Sequence, residues 1–228
     1  MEQKKIFKIT PSGVDYALKC KRCLWLAYKG IKLDNFFPPI FNAFDLIQKK
    51  FLINKSVKTM SKNFPDGRIM TELSGFIGST TLKDNNGRSF VISGRTDVVV
   101  EFNTRPKKYG IIDLKTTNIN PSKIENYKFQ LESYATIFQN PNSKTPKFSN
   151  VEELGLYLFE PKEIINISDG SCNMKFETLY LKGSRCHEEL INRITNIIDV
   201  YVMKQPPDYN LACASCKFVI SLIKEKYI

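Results

Sequence analysis

Two short segments hold the residues best suited to chemistry. Gly94-Arg95-Thr96-Asp97 leads into Val98-Val99-Val100, and Ile111-Ile112 leads into Asp113-Leu114-Lys115. Residues two apart on a strand share a face, so Asp113 and Lys115 project together while Leu114 turns into the core. A hairpin centred on Arg105 sets Asp97 directly opposite Asp113. Two opposed carboxylates repel unless a cation lies between them, and a hard divalent ion such as Mg²⁺ or Mn²⁺ removes that repulsion. Lys115 beside the pair can orient or activate a water and offset phosphate charge. The chemistry this set supports is metal-assisted hydrolysis of a phosphodiester. The plainer alternative makes both acids solvated charges at strand ends. The apolar runs beside them argue against it, because ionised groups rarely sit in buried strands without a partner or a metal.

Gln130 and Tyr134 lie four apart in a helical stretch, on one face. An amide and a phenol placed there can hold phosphate or a metal-bound water. Read alone, Tyr134 belongs to a core stripe and Gln130 to solvent. The cysteines form a second constellation. Cys20-Lys21-Arg22-Cys23 stands near the start and Cys213-Ala214-Ser215-Cys216 near the end. Two C-x-x-C pairs in an intracellular chain read as a four-thiolate site, suited to Zn²⁺ or an iron–sulfur cluster. Such a site would clasp the two ends together. Cys172 and Cys186 are left over and read as unpaired buried thiols.

The elements that must position these residues follow from periodicity. Residues 10–30 read as one helix closed by Gly30, and residues 39–52 as a second, with an apolar stripe of Ile40, Phe41, Phe44, Ile47 and Phe51. Strands are expected over 71–81, 88–93, 95–102 and 109–115, with Asp84-Asn85-Asn86-Gly87 as a turn. A helix opens at Asn120-Pro121-Ser122, with Asn120 as cap and Ile124, Tyr127, Leu131, Tyr134 and Phe138 as its stripe. Strands over 151–160 and 174–182 and a helix over 185–204, stopped by Pro206-Pro207, complete the order. The fold class is mixed α/β, a central mixed β-sheet flanked by helices. One domain spans 1–228: a helical part to residue 60 with the first cysteine pair, a catalytic sheet and helix over 70–182, and a closing part over 183–228 with the second pair.

Thirty-four Lys and Arg against 23 Asp and Glu give a net charge of +11, which favours a polyanionic partner. No stretch is long and apolar enough to cross a bilayer, and the N-terminus has no secretory pattern, so the expected location is cytoplasmic, with no membrane partner.

The order Gly94-x-x-Asp97, Asp113-x-Lys115 and Gln130-x-x-x-Tyr134 resembles the RecB-like branch of the PD-(D/E)XK nucleases. The resemblance implies a restriction-endonuclease-like core and Mg²⁺- or Mn²⁺-dependent cleavage of DNA, with preference for single strands or free ends. It makes Asp97 and Asp113 metal ligands, Lys115 the helper of the attacking water, and Gln130 and Tyr134 supports. Many RecB-like members add a His or an acid from a helix ahead of the sheet. The only His here, His187, lies near the C-terminus, so Asp45 is the candidate third ligand, with a solvated helix charge as its alternative. Cys20-Lys21-Arg22-Cys23-Leu24-Trp25-Leu26 resembles the N-terminal cysteine segment of the iron–sulfur nucleases of CRISPR adaptation and of AddB type. That resemblance implies a 4Fe–4S cluster at Cys20, Cys23, Cys213 and Cys216. Those families take one cysteine from the front and three from the back, whereas this chain has two and two, which keeps Zn²⁺ open. The leading function is a DNA nuclease. Its rivals are a DNA-holding subunit of a recombination, replication or CRISPR-adaptation complex and an RNA-processing protein, the last without support from any aromatic single-strand motif. Lys21, Arg22 and Lys217 are candidate phosphate contacts.

Overall fold

The computed structural model describes residues 5–31, 38–70 and 75–225. The chain begins with β1 (Ile6–Ile9), α1 (Pro11–Ala17), α2 (Lys21–Tyr28) and α3 (Pro39–Leu52). Short strands β2 (Gly67–Ile69), β3 (Ile77–Gly78) and β4 (Leu82–Lys83) precede the longer β5 (Ser89–Gly94), β6 (Val98–Phe102) and β7 (Lys108–Thr116). Then come α4 (Lys123–Gln139), β8 (Val151–Ser168), β9 (Ser171–Gly183), α5 (His187–Val202) and α6 (Ala214–Lys224).

The mixed α/β class holds, with helices flanking mixed sheet, and the strands divide into two sheets. In the first, β5 pairs with β1 in parallel and with β3 and β4 antiparallel. The second runs β2-β6-β7-β8-β9, with only β7 and β8 parallel. The chain leaves the first sheet at Gly94 and enters the second at Val98, so Asp97 sits on the corner between them. The β6–β7 hairpin has the expected register: Val98 faces Ile112 and Phe102 faces Lys108. Alternate residues split between two cores. Val99 and Ile111 pack with α4, α5 and the first sheet, while Val98, Val100, Ile112 and Leu114 pack with Leu52, Val57 and Phe64. Asp113, two residues after Ile111, therefore faces α4.

Several expectations need correction. Residues 10–30 form two helices, because Cys20 is extended and caps the second, accepting from the backbone N–H of Cys23 at 3.5 Å. Gly30 does close that stretch, at φ 88°. Of the expected strand over 71–81, the described residues 75–81 hold only Ile77–Gly78 as strand, and the part over 71–74 lies outside the described residues. Asn120 does not cap α4. Its carboxamide accepts from Ser122 in a local turn, and the helix starts at Lys123. The stripe on α3 faces outward: Ile40, Ile47 and Phe51 are exposed, and the buried residues are Gln48 and Leu52. β8 and β9 run on past 160 as a long hairpin arm carrying exposed Ile164, Ile165, Ile167 and Met174. Phe176 on this arm meets Phe44 of α3 in a T-shaped pair, 5.7 Å between ring centroids, which braces α3 beside the second sheet.

Gly94 has a steric reason. A Cβ there would stand 2.8 Å from Pro11 Cδ and 3.0 Å from its Cγ. The proline ring begins α1 and cannot swing aside. Gly94→Ala is expected to cost roughly 1–3 kcal/mol of overpacking strain, read as a lower urea midpoint at unchanged m.

Candidate active site

Continuing the β6–β7 register by one residue brings Asp97 opposite Asp113, and the side chains around them form one network. Each carboxylate is fixed through one oxygen. Asp97 Oδ2 accepts from the backbone N–H of Leu114 at 2.9 Å. Asp113 Oδ1 accepts from Gln130 Nε2 at 2.7 Å. The other oxygen of each faces a cation: Lys49 Nζ lies 2.8 Å from Asp97 Oδ1, and Lys115 Nζ lies 2.5 Å from Asp113 Oδ2. The second pair is an ion contact only, since buried Oδ2 has no donor aligned on it. Lys49 is shared with Asp45, whose Oδ2 is also 2.8 Å away, so Asp45 reaches the site through that lysine while its side chain stays 46% exposed.

The electrostatics suit a cation site. Burial, and then the nearby Asp97, push the Asp113 carboxyl up to about 7 although Lys115 pulls it down. Burial would lower Lys115, but Asp113 outweighs it and holds the ammonium above the ordinary lysine range. The ammonium also lies over the Tyr127 ring, 4.8 Å from its centroid. A divalent ion fits these residues: the oxygens are hard donors, one of them is an orphan, and the fixed second oxygens hold both carboxylates in place. Tyr134 borders the site: burial, and then the nearby Asp113 and Asp97, hold its phenol above the ordinary tyrosine range. Its hydroxyl donates to the carbonyl of Arg95 in a short hydrogen bond and so ties α4 to the corner that carries Asp97.

Sequence reasoning missed Lys49 and Asp15. Lys49 follows Asp45 by one helical turn, a spacing that was legible. Asp15 gave no signal: it is 8% exposed on α1, and its carboxylate accepts from the backbone N–H groups of Phe129 at 3.3 Å and Gln130 at 3.0 Å. It thus anchors the turn of α4 that delivers Gln130 to Asp113. Burial pushes Asp15 up to about 6, against the pull of those two N–H groups. A raised carboxyl stabilises the fold fully below the unfolded value near 3.8, and this contribution is lost as pH rises to about 6. Asp15→Asn is expected to remove that dependence, so the gap in melting temperature between the two proteins should change between pH 4 and 6 and level off above. A constant gap across that range would contradict the assignment.

The four cysteines do meet. Their Sγ atoms all lie within 4.8 Å of one another, a set that could bind a metal. Arg22 is not free for phosphate: it donates to the carbonyl of Pro207 at 2.9 Å and stacks on Tyr209. Of the leftover thiols, Cys186 is buried as expected and Cys172 is exposed.

The family model for the PD-(D/E)XK nuclease superfamily matches residues 45–220, most of the chain and all of the carboxylate network except Asp15. The chain belongs to the PD-(D/E)XK nuclease superfamily. Membership points to metal-dependent nuclease chemistry. No curated protein matches the sequence. The crystal structure of SSO0001 is similar in fold, with a TM-score of 0.50 and 16% identity over 96% of this chain and 87% of that one. Among the described residues no helix is long and apolar enough to cross a membrane.

Proposed function

We propose that this PD-(D/E)XK protein is a Mg²⁺- or Mn²⁺-dependent deoxyribonuclease, acting on single strands or free ends. The reading rests on one observation above the others: Asp97 and Asp113 are each pinned through one oxygen and present the other to a cation. When bound there, a divalent ion would polarise the scissile phosphate and make water a better nucleophile. The rest falls to the protein. Asp97 and Asp113, with Asp45 as a further acid at the edge, hold the ion. Lys115 stays protonated and so orients water and offsets charge on the phosphate, rather than taking a proton. Gln130 and Tyr134 are positioning residues, the first through Asp113 and the second through the Arg95 carbonyl. The basic excess of the chain favours a phosphate backbone as ligand.

The substrate preference is tested with matched linear and circular DNA, single- and double-stranded, in Mn²⁺. Loss of label from linear single strands with circles untouched is the expected result. Equal cutting of circles would overturn the preference for ends while leaving the nuclease reading in place.

A further inference from the structure

We propose that Cys20, Cys23, Cys213 and Cys216 hold a single tetrahedral zinc ion, and that this ion, not a 4Fe–4S cluster, is the core of the lobe where the two ends of the chain meet. The spacing of the sulfurs carries the argument. Cys20 Sγ is 3.6 Å from Cys216 Sγ, and Cys23 Sγ is 3.6 Å from Cys213 Sγ, with every pair within 4.8 Å. Four thiolates on one zinc at ~2.3 Å stand ~3.8 Å apart along the edges of a tetrahedron. A cubane cluster puts one iron behind each thiolate, and its four sulfur ligands must stand a whole cluster apart. These four are too close together for that.

The donor pattern agrees. Each C-x-x-C pair starts a helix, with Cys20 capping α2 and Cys213 capping α6. Two helix N-termini thus converge on the four sulfurs, and their exposed N–H groups favour the negative charge of a tetrathiolate. Lys21, Arg22 and Lys217 flank the pairs in sequence and offset the rest. Soft thiolates in a tetrahedron select zinc or iron, and zinc stands above ferrous iron in intrinsic affinity.

The lobe also needs a metal. Cys216 is the only residue of α6 that is buried, while Phe218 and Ile223 are exposed, and α2 buries no residue fully. Without apolar burial of its own α6 has little to hold it, whereas α2 packs on the core through Leu24 and Tyr28, whose ring stacks on Tyr201 at 4.0 Å; a structural ion would tie α6 to α2. A few hydrogen bonds assist: Trp25 Nε1 donates to the Met203 carbonyl at 2.9 Å and Asn210 Nδ2 to the Lys19 carbonyl at 3.1 Å.

The test is metal and acid-labile sulfide analysis of the full chain, purified without oxygen from cells supplied with both iron and zinc. The Asp97→Ala/Asp113→Ala protein is measured beside it, so that any ion at the carboxylates is counted separately. One zinc per chain in both proteins, with no sulfide and no brown colour, is expected. Cobalt put in place of zinc should give the intense visible bands of a tetrahedral tetrathiolate. Iron with matching sulfide would overturn the proposal, as would a lone iron, or four thiols that react freely in a metal-free folded protein. Zinc that vanishes only in the aspartate variant would also overturn it. Absence of cleavage by the native protein with its zinc in place would count against the nuclease reading alone.

Discussion

Lys115→Ala is expected to slow phosphodiester cleavage by roughly 10²–10³-fold, the range for removing one donor that stabilises charge in the transition state, while divalent-ion binding is kept or tightened. The two effects separate because of where the ammonium lies. Lys115 Nζ sits 2.5 Å from Asp113 Oδ2, the oxygen that would meet the ion, so removing it removes a competing cation as well as a donor. Asp113→Asn should behave differently and lose both cleavage and ion binding. Cleavage measured in single turnover, with ion affinity by calorimetry, checks both. A Lys115→Ala protein that cuts at the full rate would take Lys115 out of the reaction.

Arg185→Ala should have the largest effect on stability. Glu132 lies on α4 between Gln130 and Tyr134 and is fully buried. Arg185 donates to both of its oxygens at 2.8 Å, and the backbone N–H of Cys186 adds a third bond at 3.0 Å. This arrangement fastens the side of α4 away from the carboxylates to the start of α5. Without Arg185 a buried carboxylate is left short of its partner, a change that costs about 3–5 kcal/mol. The urea midpoint should fall accordingly. Arg185→Lys should recover only part of it, because an ammonium cannot copy the two-pronged contact. A loss under ~1 kcal/mol, as for an exposed pair, would mean that α4 is held by its apolar face alone.

The β6–β7 hairpin was legible because period-two burial and hairpin register follow from local rules. The apolar runs beside Asp97 and Asp113 set the faces, and the register followed. The α3 helix was legible as an element but not in orientation. Its outward stripe reads like a core stripe, and only the neighbouring β8–β9 arm and the Gln48 contact to Thr116 at 2.9 Å show which side faces in. Asp15 and the corner at Gly94 were out of reach for another reason. Both depend on α1 packing against residues more than eighty positions away, and nothing local marks them. The break in the first helix was hidden because Cys20 fits a helical stripe, although its thiol caps a new helix instead. Cys20, Cys23, Cys213 and Cys216 were readable as a set by spacing alone, and the fold brings their sulfurs within 4.8 Å of one another.

The central proposal is that Asp97 and Asp113 would hold the ion on which hydrolysis of DNA by this protein depends. It is tested most directly by cleavage of end-labelled single-stranded DNA by the native protein and by Asp113→Asn, each in Mg²⁺, in Mn²⁺ and in EDTA. The account predicts cutting by the native protein in either metal, none in EDTA, and none by the variant under any condition. Cutting that persists in EDTA, or in Asp113→Asn at the native rate, would contradict it.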